Sequence, residues 1–324
     1  MCTSCQQKKR IGLLVGGIIA AVAFYVLFSA NNVTAVASGK PVVSVSTFAL
    51  YEVANAVAGD TLKIRSIIPL GSDAHMFSPT PKEVAEVSNS ALFIYSGAGF
   101  ESWAQPLAAT LGKTTRIIDM STHVALLKSD GESFERHEDH EGDAQHAHGG
   151  YDPHYWLDID NMITMTNLLV AEFSELSPKN ASLYRENGAA YVEKLEKLKS
   201  DYLFGLKECK NRILVSNHDA FGYLARANGL EAISVIGLSS DEQPSAKTIA
   251  QIIALVQEHR IQTIFFEELI NDNVAQTIAK ETGAKAVSLQ PLENISEDEL
   301  KSHQTYESIM RQNLAKLAQA MECR

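Results

Sequence analysis

Short apolar runs alternate with helical patterns from Pro41 almost to the end of the chain, and this alternation restricts the fold more than any other feature of the sequence. Short apolar runs bounded by turn-forming residues are typical of buried strands, and strands separated by helices build right-handed βαβ units with parallel sheets. The predicted strands are Val42 to Ser46, Leu62 to Ile68, Ala91 to Tyr95, Arg116 to Ile118, Ile213 to Ser216, Ala232 to Ile236, Thr263 to Phe266 and Ala286 to Leu289. The sequence therefore predicts an α/β protein with parallel sheets.

One long amphipathic segment separates the first four predicted strands from the last four. Between Ser177 and Lys210, apolar side chains recur near the helical period, and charged residues stand between them. A helix of that length reaches farther than one small domain requires. We therefore predict two α/β lobes, residues 38–176 and 211–324, joined by a rigid linking helix over residues 177–210.

The first forty residues have the layout of an export signal. The basic tripeptide Lys8-Lys9-Arg10 precedes an uncharged run from Ile11 to Ala30, and the small-residue triplet Ala35-Val36-Ala37 follows. This order marks a signal peptide, although the apolar run is also long enough to span a bilayer. Residues 1–37 are thus expected to be a cleaved signal peptide or a membrane anchor, and both interpretations place residues 38–324 outside the cytoplasm.

The net charge limits the expected binding partners, and the cysteines allow one disulfide. The formal net charge of −11 excludes a strongly basic nucleic-acid-binding protein. The exported part keeps two cysteines, Cys209 and Cys323, which can pair in an oxidising compartment and tie the C-terminal tail to the second lobe. Two buried free thiols are the alternative. We expect a monomer that binds no nucleic acid.

The segment 137–148 differs in composition from the rest of the chain. It contains four His and four acidic residues and no large apolar side chain. Such a segment cannot build a core and is expected to be an exposed loop, and His-rich tracts bind metals reversibly. Metal contact is the favoured interpretation, and a purely solubilising insertion is the alternative.

Two histidines outside this tract follow predicted strands. His75 stands between the strand Leu62 to Ile68 and a helix that Thr80 is expected to cap, and His218 lies just past the strand Ile213 to Ser216. In open α/β sheets, the carboxyl ends of the strands face the crevice in which ligands bind. These two side chains are therefore expected to point at one place.

A third histidine, His154, follows directly after the His-rich tract and Pro153. Asp152 or Asp158 is close enough in sequence to orient its ring as a hydrogen-bond acceptor. Taken singly, each of these histidines is more often a satisfied polar residue than a metal ligand.

Three strings of residues together resemble a known family. The strings are G-S-D-A-H-M-F-S-P-T-P, D-P-H-Y-W-L-D and S-N-H-D-A-F-G-Y-L-A-R, and they occur in this order with the His-rich tract before the second. The combination closely resembles the metal-binding extracytoplasmic proteins of ABC transporters that import zinc or manganese. The resemblance covers essentially the whole exported chain and includes E-Q-P-S-A-K and S-L-Q-P-L-E.

The resemblance implies the same fold as the pattern of strands, with two α/β lobes bridged by a long rigid helix and a metal in the cleft. It also implies a non-enzymatic function: capture of the metal and its delivery to a membrane permease that a cytoplasmic ATPase drives. Carried over by motif position, the three histidine ligands fall on His75, His154 and His218.

The fourth ligand position is less clearly marked. Gln290 stands where the family often has an aspartate, in the stretch S-L-Q-P-L-E. Glu293, three residues on, is the preferred fourth ligand, and water is the next alternative. Glu267 and Glu268, at the end of a predicted strand, are a third alternative, although they can instead lie beside the cleft.

The ligand types favour zinc. Three imidazoles with one carboxylate or water suit four-coordinate Zn²⁺, whereas Mn²⁺ prefers more oxygen ligands. A zinc hydrolase is the rival from another class, because three histidines and a water also form catalytic zinc sites. The sequence contains no H-E-x-x-H or G-x-S-x-G motif to support it. An adhesin on the same fold is a third alternative, and no pattern in the sequence marks an adhesive surface.

Overall fold

The computed structural model describes residues 39–112, 115–129, 150–238, 244–267 and 272–324. The leader 1–37, the His-rich tract 137–148 and Glu268 lie outside these ranges. Residues Pro41–Arg324 belong to one compact unit. Within the ranges that are described, no helix has the length and apolar character needed to cross a membrane.

Four parallel strands form the first sheet, in the order β2-β1-β3-β4. They are β1 (Val42–Val45), β2 (Lys63–Ser66), β3 (Leu92–Tyr95) and β4 (Arg116–Asp119). The apolar central strands are buried, and every residue of β3 is inaccessible to solvent or nearly so, whereas edge strand β2 is partly exposed. The first four predicted strands are confirmed to within a few residues at each end.

Helices connect these strands. They are α1 (Phe48–Ala58), α2 (Pro81–Ser88) and α3 (Ala104–Leu111). Helix α2 begins where the sequence predicts, because the Thr80 side chain accepts a hydrogen bond from the backbone of Glu83 while the Glu83 carboxylate accepts one from the backbone of Thr80.

A short antiparallel pair, β5 (Leu127–Lys128) with β6 (Tyr151–Asp152), precedes a single 3₁₀ turn and α4 (Ile159–Leu176). The first half of the chain thus has one parallel sheet with helices around it, and β6 leads directly to His154.

The predicted linking helix is present and shorter than expected. Helix α5 (Ala181–Gly205) has 25 residues and follows a 3₁₀ turn at Pro178–Asn180. Pro178 has no backbone N–H, so it fits the start of a helical segment and not its interior. At about 1.5 Å per residue, α5 is roughly 37 Å long. It packs closely on α4 at Gly188, where an added Cβ would lie 2.3 Å from Cγ2 of Val170.

The second sheet also has four parallel strands, in the order β10-β9-β7-β8. They are β7 (Ile213–Ser216), β8 (Glu231–Ser234), β9 (Thr263–Phe266) and β10 (Lys285–Ser288), all within two residues of their predicted positions. The helices are α6 (Gly222–Ala227), α7 (Ala246–Glu258), α8 (Asn273–Thr282), α9 (Glu297–Lys301) and α10 (Tyr306–Ala320). The predicted fold class, two parallel-sheet lobes with a long helix, is confirmed.

The last helix, α10, connects both lobes. The Tyr306 hydroxyl donates to the carbonyl of Trp156 (2.7 Å), and the Tyr306 backbone N–H donates to the Glu52 carboxylate (2.9 Å). The Tyr202 hydroxyl on α5 donates to the carbonyl of Met310 (2.7 Å). Because α10 and α5 share a buried core with the first lobe, we expect little hinge motion between the lobes. The exact lobe boundaries at 176 and 211 stay predictions.

A disulfide joins Cys209, just after α5, to Cys323 near the C-terminus. The two cysteines also form an isolated backbone bridge. Of the two alternatives from the sequence, a disulfide or two free thiols, the structure has the disulfide. It ties the C-terminal tail to the start of the second lobe.

Candidate metal centre

Four predicted ligand residues come together at the carboxyl ends of the two sheets. His75 lies in the loop after β2, His154 follows β6, His218 follows β7, and Glu293 lies in the loop after β10. One donor atom from each lies within 4.8 Å of all the others. His75, His218 and Glu293 follow strands of the two parallel sheets, whose carboxyl ends face the cleft, whereas His154 follows the short antiparallel pair.

Glu293 is central to this cluster. Its Oε1 atom lies 3.1 Å from Nε2 of His154, 3.4 Å from Nε2 of His75 and 3.9 Å from Nε2 of His218. A tetrahedral zinc site with ligand bonds of about 2.0–2.1 Å has about 3.3 Å between neighbouring donor atoms. The distances from Oε1 of Glu293 to the three imidazole nitrogens are therefore near the spacing that one tetrahedral metal ion requires.

The facing donor atoms are buried and without ordinary hydrogen bonds. Nε2 of His154, Nε2 of His218 and Oε1 of Glu293 have no hydrogen-bond partner in the described part of the chain. His154 and His218 are fully inaccessible, and Glu293 is 6% exposed. Leaving a buried polar atom unsatisfied costs about 1–3 kcal/mol, so several such atoms in one place indicate that the cluster is completed by a ligand.

Carboxylates fix the other nitrogen of two rings. Nδ1 of His154 lies 2.8 Å from Oδ1 of Asp152, and Nδ1 of His218 is hydrogen-bonded to Glu267. A proton held on Nδ1 by a carboxylate leaves Nε2 as the coordinating atom and sets the ring plane. Of the two acceptors that the sequence left open, Asp152 or Asp158, Asp152 is the one that orients the His154 ring. Asp158 instead caps α4 by accepting from the Asp160 N–H (3.0 Å).

The alternatives for the fourth ligand are separated by position. Glu267 is 2% exposed and faces Nδ1 of His218, so it lies behind a histidine and not among the four converging atoms. Nε2 of the Gln290 side chain instead donates to Glu299 (3.2 Å), and Oε1 of the same side chain accepts from the Leu292 backbone N–H. Among the described candidates, Glu293 has the position that a fourth ligand requires.

The charges of these carboxylates change the acid–base properties of the histidines. Burial alone would lower the pKa of His154, but its hydrogen bond to Asp152, the close approach of the Glu293 carboxylate and the charges of both carboxylates outweigh burial and raise the pKa to about 10. Burial would likewise lower the pKa of His218, but Glu267 and Glu293 raise it above its usual value. Burial would raise the pKa of Glu293, yet the surrounding histidines hold it well below its usual range. In the metal-free protein, protons thus supply the positive charge between the carboxylates.

Aromatic rings close one side of the cluster. The Phe100 ring lies 4.4 Å from the His75 ring, and the Trp156 ring lies 5.6 Å from the His154 ring, measured between centroids. Phe100 belongs to a turn that the buried carboxylate of Glu101 holds by accepting from Ser46 and from the backbone of Gly97. Burial raises the pKa of Glu101 although these hydrogen bonds oppose the rise.

Phe100 and Glu101 were not predicted as part of the site. The sequence signal is the string G-A-G at 97–99, whose three residues all have positive φ. A Cβ on Gly97 would lie 2.0 Å from Oδ1 of Asp119, so this turn requires glycine there. The signal marks a tight turn, but it does not indicate that the turn brings a ring against His75.

The loop that carries Glu293 is fastened to the first lobe. The Phe48 backbone N–H donates to the Glu293 carbonyl (3.0 Å), and the Trp156 indole N–H donates to the Pro291 carbonyl (2.7 Å). Leu292, just before the ligand, has φ of 60°, which is costly for a residue with a side chain. These contacts hold a strained loop in the conformation that turns Glu293 toward the histidines.

The chain is similar to known proteins of zinc uptake. A family model described as ZnuA, the periplasmic component A of a zinc-uptake complex, matches residues 43–320. The zinc-binding lipoprotein AdcA of Streptococcus pneumoniae is 33% identical over 314 residues, which are 97% of this chain and 61% of that protein. The chain therefore spans less than two thirds of that relative. The high-affinity zinc uptake system protein ZnuA of Bacillus subtilis is 32% identical over 319 residues, which are 97% of this chain and 98% of that protein.

A solved structure shows the same fold. The Zn(II)-bound ZnuA-like domain of Streptococcus pneumoniae AdcA superimposes with a TM-score of 0.73 at 32% identity and covers 88% of this chain and 100% of that chain. Sequence and structural similarity thus each cover most of this chain.

Proposed function

We propose that this chain, which belongs to the ZnuA family of periplasmic zinc-uptake components, captures Zn²⁺ outside the cytoplasm and delivers it to an ABC permease. The observation that carries the proposal is the convergence of four buried donor atoms on one point. His75, His154, His218 and Glu293 are the proposed ligands.

The donor set supports zinc over manganese. Three imidazole nitrogens and one carboxylate oxygen at tetrahedral spacing suit Zn²⁺, which has no preference for larger coordination numbers, whereas Mn²⁺ is better bound by more oxygens. Copper and nickel would bind such a site at least as tightly under the general affinity order, so the ligands alone do not select zinc against them.

Proton release balances the charge of the incoming metal. Asp152, Glu267 and Glu293 surround the site, and raised pKa values at His154 and His218 favour protons there in the empty state. Exchange of about two protons for one Zn²⁺ would leave the total charge of this buried region unchanged. The carboxylates thus stabilise either the protonated or the zinc-bound cluster, and capture requires no uncompensated buried charge.

Binding without turnover is the proposed mode of action. A catalytic zinc site keeps one coordination position open for water, whereas four protein donors converge here. Asp152 and Glu267, the nearby carboxylates, are engaged with imidazole nitrogens, so neither is placed to act as a general base. These features support a carrier over a zinc hydrolase.

The remaining proposals concern assembly and location. We propose that residues 38–324 act outside the cytoplasm as a monomer, with the Cys209–Cys323 disulfide formed in that oxidising compartment. The proposed partners are a membrane permease and its cytoplasmic ATPase. Mass spectrometry of the exported protein with and without reductant tests the disulfide directly.

A transport assay tests the proposed function. The chain, its cognate permease and the ATPase are placed in sealed vesicles with ATP on the ATPase side, and accumulation of radioactive zinc is followed with wild-type protein or with His154→Ala. Uptake that requires wild-type protein and fails with His154→Ala supports the proposal. Exposed His259 provides a matched control, because His259→Ala should transport normally. Equal uptake with and without the chain would contradict the proposal.

A further inference from the structure

Two loops from opposite lobes meet beside the metal centre, and each carries a proposed ligand. The loop 69–75 ends at His75, and the loop 289–295 contains Glu293. The Asn294 side chain lies between them. Its Nδ2 donates to the carbonyls of Pro69 (2.6 Å) and Ser72 (2.9 Å). One amide therefore uses both of its protons to bind the loop of the opposite lobe.

We infer that Asn294 is a positioning residue that holds the His75 loop against the Glu293 loop and thereby limits how fast zinc leaves. The inference rests on the proposed function, since it concerns the same ligands. Asn294 touches neither His75 nor Glu293 through a side-chain hydrogen bond, so its effect would pass through the backbone of both loops.

The surroundings of Asn294 hold its side chain in a fixed orientation between the two loops, and we call this contact between loops 69–75 and 289–295 the latch. The residue is only 4% exposed, and its Oδ1 accepts from the Ile295 N–H (2.9 Å), which fixes the orientation of the amide. A backbone hydrogen bond from Gly71 to Ile295 (3.0 Å) runs beside it. Because a hydrogen bond inside a protein is stronger than one exposed to water, a buried double donor resists separation of the loops.

The consequence for zinc follows from the spacing of the donor atoms. His75 and Glu293 are already 3.4 Å apart, close to the separation that one tetrahedral ion requires. Separation of the two loops would pull one of these ligands off the metal before the other. Removal of the Asn294 side chain should therefore raise the rate of zinc release, while zinc still binds to the same four ligands.

Asn313 on α10 provides a matched control. Its Nδ2 donates to the Gln290 carbonyl (2.7 Å), its Oδ1 accepts from the Gln290 N–H (3.1 Å), and it is 1% exposed. Asn313 thus supports the same Glu293 loop with a buried amide, but it does so from helix α10 and through Gln290. Asn313→Ala removes comparable hydrogen bonds and leaves the contact between loops 69–75 and 289–295 in place.

The experiment measures the release of zinc into excess chelator by stopped flow, using the full exported protein. Asn294→Ala should release zinc about tenfold faster, at the low end of what loss of an outer-shell partner costs in metal affinity. Asn313→Ala should accelerate release clearly less than Asn294→Ala, because the contact between loops 69–75 and 289–295 stays in place. Asn294→Ser keeps one donor and should be intermediate, and it substitutes for Asn294→Ala if thermal melting shows that the latter does not fold.

A double mutant distinguishes an effect of Asn294 through the His75 loop from a general loss of rigidity around the metal centre. If Asn294 acts by holding the His75 loop, adding Asn294→Ala to His75→Ala should accelerate release much less than in the wild type. Equal acceleration in both backgrounds, or equal effects of Asn294→Ala and Asn313→Ala, would overturn the inference. If His75→Ala itself released zinc at the wild-type rate, the proposed ligand set would fail instead, so the two failures are distinct.

Discussion

Oε1 of Glu293 lies 3.1 Å from Nε2 of His154 although the two residues belong to opposite lobes and neither atom makes a hydrogen bond in the described part of the chain. The close pair brings together a carboxylate with a lowered pKa and an imidazole with a raised one. Its position between the lobes makes Glu293 the residue on which metal retention is expected to depend most.

Glu293→Gln is expected to weaken zinc binding by roughly 100-fold, because it removes one of four ligands and the charge that offsets the metal. It should also lower the pKa of His154 in the metal-free protein, since Glu293 helps to raise that pKa. Zinc titration calorimetry and NMR titration of the imidazole measure the two effects. The exposed Glu297→Gln provides the control, and unchanged affinity in Glu293→Gln would exclude Glu293 as a ligand.

Zinc affinity is expected to rise with pH. His154 has a pKa of about 10 in the metal-free protein, because Asp152 and Glu293 outweigh the effect of burial, so it carries a proton near neutral pH that zinc must displace. The logarithm of the association constant should increase by about one to two per pH unit between about pH 6 and pH 8. Calorimetry in buffers of different ionisation enthalpy should detect the released protons. Affinity that does not vary with pH would contradict this account of the protonated cluster.

Glu267→Ala is expected to reduce zinc affinity by about 10–100-fold although Glu267 is not a proposed ligand. The substitution frees Nδ1 of His218, so the ring loses its fixed tautomer and plane. Glu267→Gln keeps an acceptor oxygen for the Nδ1 proton and should retain more affinity than Glu267→Ala. If alanine and glutamine have equal effects, orientation of His218 by Glu267 is not the cause.

Gly188→Ala is expected to destabilise the fold by about 1–3 kcal/mol, although alanine is the better helix former. The added Cβ would lie 2.3 Å from Cγ2 of Val170, where α5 packs on α4, and a β-branched side chain in a helix has little rotamer freedom to move aside. Thermal or urea unfolding measures the change. Combining the substitution with Val170→Ala should recover part of the loss, and a more stable Gly188→Ala variant would show that the helices have room to separate.

Much of the fold could be predicted because its signals are local. Each predicted strand was a short apolar run between turn-forming residues, and the Thr80 capping box marked the start of α2. The linking helix was predicted too long at both ends, because its apolar period continues past positions where Pro178 and the turn after Gly205 end the helix.

The grouping of residues at the candidate metal centre could be predicted in part. His75 and His218 follow predicted strands, and the resemblance to a transporter family selected these two and His154 among the other histidines. The roles of Glu267, Phe100 and Asn294 depend on contacts between residues far apart in sequence, such as Asn294 with Pro69, and no local pattern encodes such contacts. The choice between Glu293 and Glu267 as fourth ligand likewise required the path of both loops.

We infer that one zinc ion binds to His75, His154, His218 and Glu293. The most direct measurement is elemental analysis of residues 38–324 after metal stripping and equilibration with equal zinc and manganese, for wild type and for alanine variants of each histidine. We expect one zinc per chain in the wild type and its loss or marked weakening in all three variants, with His259→Ala unchanged. Retention of manganese in place of zinc, or full zinc content in the three variants, would contradict it.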